Sequence, residues 1–391
     1  MSRHLEYLLD VGRSPERTIV GLISGTSADA IDAAVCSIAG LEDQVTVNLV
    51  HFIEFPYDPD VRSRVLEPAR LDVRAVAELH VRVGELFAEA AQAVTRSAGL
   101  TEAEIDAIGS HGQTVYHHSG VAGATRATIQ LGDGDVIAER TGLPVLSDFR
   151  ARDIAAGGEG APLSPLGDMM LFAPDASTRR VILNLGGIAN ITVLDPDPTR
   201  TFGFDTGPAN SPLDRLARRI TSGALDRDHD GLIGRSGDID HSLLNTLLEN
   251  DAFLARRPPK STGFEMYGDA FVASAGRMHG SFDADLMATL TEFIAATIAR
   301  SIARFVGGEP PVMEIIAAGG GASNPFLMER ISARVAPIRV RRSEEFGVSS
   351  AAREAMLFAI LADMALRGQA AWLPAVTGAK RPAVLGKLSF P

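Results

Sequence analysis

A chain of 391 residues, 46% of them hydrophobic, can bury one or two substantial cores, which excludes an intrinsically disordered protein. Asp and Glu number 49 against 37 Lys and Arg, for a net charge of −12 with no long basic run, which argues against general binding to a nucleic-acid backbone. Cys36 is the single cysteine, so an intrachain disulfide and a multi-cysteine zinc site are excluded, and the composition suits the cytoplasm without membrane association.

No stretch approaches 18 uninterrupted apolar residues, and residues 1–17 (MSRHLEYLLDVGRSPER) read as a polar N-terminal extension rather than a signal peptide. From Thr18 to Ile38 one apolar run enters a Ser-Gly-Thr-Ser turn and a second leaves it, predicting a β-hairpin that Val45 to Ile53 extends. The spacing of Val76, Leu79, Val83, Leu86 and Phe87 predicts a helix over 73–98. Ala107 opens a short strand expected to end in a Gly/His turn, and the segment from Gln130 to Arg150 reads as turn, helix and strand. Arg180 to Leu194 repeats strand, glycine turn and strand, with a third strand over 201–205. Helical sequence follows from about Ser211, an amphipathic helix is predicted over 284–306, a strand over 312–318 runs into GGGASNPF, and a final helix covers 351–367. DPDPTR (195–200) and ARRPPK (255–260) read as surface loops. Two halves that open alike suggest a duplicated α/β unit. The expected first lobe is 18–147, with 348–391 packing back on it, and the second is 148–347. One large α/β domain with coincidental glycine turns is the alternative.

A phosphate needs several converging donors without steric obstruction, and a turn of Gly25, Thr26 and Ser27 offers backbone N–H groups and hydroxyls. Asp29 and Asp32, just beyond, face opposite sides of a strand. NLGGIAN (184–190) and GGGASN (319–324) supply a second and third glycine turn; Walker and G-x-G-x-x-G loops are absent. Each turn alone reads as a structural turn rather than a site, whereas the three together favour an ATP cleft. Asp205 in FDTGPAN, expected at a strand end before a helix, suits a general base or, alternatively, a helix cap. His111 is either a substrate donor or a structural histidine. Asp148, Arg150 and Asp153 could grip sugar hydroxyls or a carboxylate, or form a surface ion-pair network.

Together GLISGTSADAID, GSHGQTVYH, QLGDGDVIAERTG, VLSDFRARDIAAGGEGAPL, NLGGIANIT, FDTGPAN, PPKSTG, GGGASN and VTGA...VLGK resemble, in order, the blocks of the anhydro-N-acetylmuramic acid kinases over nearly the whole chain. The resemblance implies a duplicated actin-like, ribonuclease H-like α/β fold of two lobes with a nucleotide cleft between them. It implies ATP and Mg²⁺, and a reaction that opens a 1,6-anhydro ring and phosphorylates O6 to give N-acetylmuramic acid 6-phosphate and ADP in peptidoglycan recycling. A homodimer is also implied. Carried onto this chain, the nucleotide positions are Gly25, Thr26, Ser27, Ala28, Asp29, Ala30, Ile31, Asp32, Gly186, Gly187, Asn190, Gly319, Gly320, Gly321 and Asn324. Asp205 is the implied catalytic carboxylate. His111, Asp148, Arg150, Asp153 and Glu354 are implied at the substrate, with Asp205 and Glu354 near the metal.

The chain departs from the family at Ile23, Ala30, Ala209, Glu159 and Phe264. A Cβ at Ala30 matters only if that backbone is left-handed. Glu159 in place of Gln and Phe264 in place of Arg both disfavour an anionic sugar. A neutral anhydro sugar such as levoglucosan is therefore the second expectation, and an actin-like ATPase switch the third.

Overall fold

The computed structural model describes residues 3–40, 45–120 and 123–391, excepting the side chains of Arg3 and Phe264. Two compact units are formed, one by Met1–Phe172 with Gly347–Pro391 and the other by Ala173–Phe346. Segment 148–172, expected in the second unit, packs in the first, because the Arg353 guanidinium grips the Asp168 carboxylate through two buried bonds of 2.8 and 2.7 Å.

The first unit holds α1 (Arg3–Arg13), β1 (Glu16–Ser24), β2 (Ala30–Ala39), β3 (Thr46–Pro56), α2 (Pro59–Val65), α3 (Val73–Ser97), β4 (Ala107–His118), β5 (Ala127–Leu131), α4 (Gly134–Thr141), β6 (Val145–Ser147), α5 (Phe149–Ala155) and α6 (Ser164–Leu171). The second holds β7 (Arg179–Leu185), β8 (Ile188–Leu194), β9 (Phe202–Pro208), α7 (Asn210–Ile220), α8 (Leu232–Arg235), α9 (His241–Asn250), α10 (Ala252–Ala255), α11 (Phe264–Tyr267), α12 (Asp269–His279), α13 (Ala284–Phe305), β10 (Val312–Ala318), α14 (Pro325–Val335) and β11 (Arg339–Arg342). Helices α15 (Arg353–Leu366) and α16 (Pro374–Thr377) and strand β12 (Lys387–Ser389) return to the first unit.

The duplication is visible in the sheets. In the first, β3, β2 and β1 run antiparallel to their neighbours, and β4 then β6 continue in parallel from β1. In the second, β9, β8 and β7 are antiparallel, and β10 then β11 continue in parallel from β7. The same order and the same change of direction at the third strand define a ribonuclease H-like unit in each half, so the architecture is the duplicated actin-like α/β fold.

Several local expectations change. The N-terminal extension contains a helix, α1, whose Val11 is buried against the rest of its unit. Strand β4 does not stop at a Gly/His turn but runs through His111 to His118, paired at its far end with β5. Helix α13 is buried on 15 of its 22 residues rather than on one stripe. Although it is long and apolar enough to cross a bilayer, it is the core helix of the second unit.

Helix α15 packs on β1, β2 and β4. It approaches so closely that a Cβ at Gly21 would lie 1.9 Å from Ala355 O, and one at Gly109 2.0 Å from Phe358 O. Gly21→Ala should therefore lower unfolding free energy by about 1–3 kcal/mol or more, since the obstruction is backbone. Gly307→Ala, where no atom lies within 4 Å, should change it by no more than about 0.5 kcal/mol in the same urea titration.

Candidate active site

In the first unit the turn after β1 closes through an Ala28 N–H to Gly25 O bond of 3.0 Å, leaving Gly25, Thr26 and Ser27 exposed. The N–H groups of Thr26 and Ser27 have no partner among the described residues, as an anion-binding turn requires. Three residues that the sequence reading did not single out hold it. Gln113 donates from Nε2 to Gly25 O (3.1 Å) and accepts from the Tyr57 hydroxyl (3.1 Å). Arg62 donates to Ala28 O (2.9 Å) and to the Asp29 carboxylate (2.7 Å). Asp29 is thus occupied. Ala28 and Ile31 point into the core, so neither side chain serves a nucleotide. The left-handed residue is Ala28 (φ 48°), not Ala30, so the substitution at Ala30 leaves the loop unstrained.

Asp32 is half-buried on β2, directly opposite Glu54 of β3. Burial, reinforced by the charges of Glu54 and of Glu354 in the first turn of α15, pushes its carboxyl up to about 7. Like charges facing across strands are unfavourable unless a proton or cation intervenes. These hard oxygen donors suit Mg²⁺.

The charged segment after β6 divides into different roles. His111 is buried, its Nε2 accepts from Arg150 Nε (2.7 Å), and its Nδ1 therefore carries the proton and donates to Gly112 O (2.9 Å). Burial and the Arg150 charge hold it down to about 3. With both nitrogens engaged, His111 is not a substrate donor; it positions Arg150. Asp153 is also corrected, because its buried carboxylate accepts from Gly160 N (2.8 Å) and Thr377 Oγ1 (3.0 Å) and holds two loops together. Asp148, in a left-handed conformation (φ 56°), pairs with Lys387 at 2.8 Å. Arg150 also donates to Gly160 O (2.9 Å), and Glu354 lies near enough for its charge to act on Arg150. Glu159 is exposed and lies 3.9 Å from Arg126, which offsets its charge, whereas the Phe264 side chain is outside the described residues.

In the second unit the turn at Gly186 and Gly187 directs its carbonyls at the start of α7, accepting from Asn210 N (2.9 Å), Ala209 N (3.1 Å) and Ser211 N (3.1 Å). The amide groups of the two glycines have no backbone acceptor among the described residues. The third turn packs on the same place: Gly319 is left-handed (φ 86°), and a Cβ there would meet Leu185 O at 2.9 Å. At Gly321 a Cβ would meet Asn210 Oδ1 at 2.8 Å. Asn324 caps α14 through Leu327 N (3.0 Å).

Asp205 lies within β9 rather than at its end, and a bulge beside it re-aims the strand. Its neighbours across the sheet are Asn190 and, one strand further, Asn184, so a polar row crosses one face beside the glycine turns. One Asp205 oxygen, Oδ2, accepts from Thr262 N (2.8 Å), and its own N–H donates to Lys260 O (3.1 Å). Burial raises the Asp205 carboxyl, against the Thr262 bond and the Lys260 charge. The ARRPPK loop is not simply surface: Lys260 is buried with its ammonium 4.5 Å from the Phe253 ring and 5.2 Å from that of Phe305. That loop positions Asp205, and PPKSTG was its sequence signal.

A sequence model of the family described as anhydro-N-acetylmuramic acid kinase matches residues 17–391. The chain belongs to the anhydro-N-acetylmuramic acid kinase family. It is 38% identical to the anhydro-N-acetylmuramic acid kinase of Caldanaerobacter subterraneus subsp. tengcongensis, over 99% of this chain and 100% of the other. It is 40% identical to that of Salinibacter ruber, again over 99% and 100%. Among solved structures it is similar to a ROK hexokinase from Thermus thermophilus (16% identity, 88% of this chain and 98% of that one, TM-score 0.38). The sheet topology, not that likeness, carries the fold assignment.

The Asp32 environment predicts a pH dependence. The folded carboxyl titrates above its unfolded value, so its contribution to stability is present below about pH 4 and is lost as pH rises through about 7. Asp32→Asn should therefore gain melting temperature over wild type progressively between pH 4 and 7, read by thermal denaturation without Mg²⁺. A gap independent of pH would contradict it.

Proposed function

We propose that the protein is an ATP-dependent anhydro-N-acetylmuramic acid kinase that adds water across the 1,6-anhydro bridge and phosphorylates O6. The observation that carries this reading is Asp205: a half-buried carboxylate with one oxygen fixed by Thr262 N–H, beside the Gly186–Gly187 turn, whose amides have no backbone acceptor among the described residues. Asp205 accepts a proton from the water whose oxygen attacks the anomeric carbon. As the bond from that carbon to O6 breaks, O6 keeps the electron pair and attacks the γ-phosphorus. The bond to the β,γ-bridging oxygen then breaks and ADP leaves. Asp205 later returns its proton to solvent. One carboxylate serves both events.

The free amides around Gly25 to Ser27 and at Gly186 and Gly187 suit phosphate oxygens, whose charge they stabilise without reorganising. Arg150, locked by His111 and Gly160 O, suits the lactyl carboxylate of the sugar. Asp148 and Glu354 are assigned to the sugar side. A bound Mg²⁺ would neutralise phosphate charge; in the first unit Asp32, Glu54 and Glu354 are carboxylates available to hold it, and in the second Asp205. A homodimer and a cytoplasmic role in cell-wall recycling belong to the same proposal.

In a coupled ADP-release assay with ATP, Mg²⁺ and anhydro-N-acetylmuramic acid, Asp205→Asn should lose about 10²- to 10⁴-fold in kcat. Ring opening and ADP release should fall together. The wild-type rate should drop as pH falls through a value above the ordinary carboxylate range, because burial raises Asp205. Turnover with levoglucosan alone would move the substrate to neutral anhydro sugars, and ADP release indifferent to sugar would leave an ATPase.

A further inference from the structure

A cavity of about 420 Å³ lies within the second unit, between the elbow joining α9 to α10 and the C-terminal half of α13. That volume falls in the range of small-molecule sites. The cavity is separate from the face that carries Asp205: Phe204 turns toward Phe305 of α13, and Asp205, next along β9, points to the other side of the sheet. Leu248, Leu254 and Ala303 supply its apolar surface, and its polar groups fall on two sides.

Helix α13 contributes Arg300, Ser301 and Arg304. Arg300 and Ser301 stand four and three residues before Arg304, so the three share one side of the helix. Among the described residues neither arginine has a carboxylate within ion-pair distance. Arg300 makes only a long bond of 3.4 Å to Leu248 O, and the Arg304 guanidinium lies 5.1 Å from the Phe305 ring. The charges of Arg304 and Arg256 also act on the buried Lys260 ammonium, so this flank is electropositive in a chain of net charge −12. Ser301 is only 3% exposed, yet its hydroxyl has no hydrogen-bond partner among the described residues. Thr291 and Thr297 of the same helix, by contrast, donate to Met287 O and Ile294 O (2.8 Å each). A buried hydroxyl on a cavity wall that is not spent on its own helix is a donor left for a ligand.

The α9–α10 side carries two carboxylates, of which one is already committed. Asp251 Oδ1 accepts from Phe253 N (2.9 Å) and Oδ2 from the Tyr267 hydroxyl (2.7 Å). Glu249, exposed near the end of α9, has no hydrogen bond or ion pair among the described residues. Two guanidinium groups and a hydroxyl match the dianion of a phosphate monoester, and a carboxylate across the cavity matches hydroxyl donors on the same molecule. A sugar phosphate brings both groups, whereas free phosphate brings only the first.

We infer that this cavity binds a sugar phosphate, with the phosphate on Arg300, Ser301 and Arg304 and the sugar hydroxyls on Glu249. The assignment goes beyond the kinase reading and does not depend on it.

Isothermal titration of mannose 6-phosphate, mannose and inorganic phosphate into the full chain tests it, with ADP and anhydro-N-acetylmuramic acid at saturation to fill the candidate active site. Wild type should bind one equivalent of mannose 6-phosphate about tenfold more tightly than inorganic phosphate, and mannose should give no heat. The double variant Arg300→Gln, Arg304→Gln should weaken both phosphates by about tenfold or more, and Ser301→Ala by about threefold or more. Glu249→Gln should bring mannose 6-phosphate towards the affinity of inorganic phosphate and leave inorganic phosphate unchanged. The three exposed positions can be substituted without touching the core, so their variants should melt with wild type and keep its sugar-dependent ADP release. No binding of mannose 6-phosphate to wild type, binding that the double arginine variant retains, or equal affinity for mannose 6-phosphate and inorganic phosphate overturns the proposal. Absence of sugar-dependent ADP release would overturn the kinase reading alone, because the binding is read as heat.

Discussion

The first unit depends on how closely α15 approaches its sheet. With no Cβ at Gly21 or Gly109, the helix backbone rests on β1 and β4, with Ala355 O and Phe358 O where side chains would otherwise stand. The rest of the unit follows from that contact. Arg353, buried in the first turn of α15, takes Asp168 as its partner and fixes α6. Asp363, nearly three turns later, accepts from Arg17 Nε at 2.7 Å and ties in the start of β1. Glu354 lies between these anchors, which places its charge near Asp32 and Arg150. Residues more than 300 positions apart in the chain are therefore brought together by the absence of two methyl groups.

Electrostatics separates structural carboxylates from candidate functional ones. Asp168, Asp363, Asp195 and Glu292 are each almost fully buried and each held by at least one arginine. Breaking such a pair leaves an uncompensated charge in the interior, so these groups fix the fold. Asp32 and Asp205 are only half-buried and have no ion-pair partner among the described residues, and burial pushes both upward. A carboxylate kept partly dry without a cation is a carboxylate prepared for a proton, a metal or a hydroxyl. The candidate active site is thus marked less by the presence of charge than by the absence of its compensation.

The second unit reaches the same end by convergence. Three chain segments meet at the end of β7: the carbonyls of the β7–β8 turn accept from the first N–H groups of α7, and the turn after β10 packs against Leu185 and Asn210. The carbonyls at Gly186 and Gly187 satisfy the first N–H groups of α7, while the amides of the two glycines have no backbone acceptor among the described residues. The loop carrying Lys260 and Thr262 closes beside Asp205. The glycine motifs and the candidate catalytic carboxylate are therefore one assembly, although they are spread over more than 130 residues.

Much of this was determined by sequence alone. Apolar runs broken by Gly, Ser and Asn dictate hairpins because few other residues tolerate those turns, so the strands β1–β3 and β7–β9 and the glycine turns were legible. The order of the motif blocks identified the family, and Asp205 and Glu354 were named from it. Tertiary structure decided the roles of individual polar groups. Whether His111 faces a substrate or an arginine and whether Asp153 binds a ligand or Thr377 both depend on residues distant in the chain. A local pattern specifies backbone conformation through steric preference, but it does not specify which donor meets which acceptor. That choice is made when the core packs, because only then are polar groups withdrawn from water and obliged to find partners in the protein.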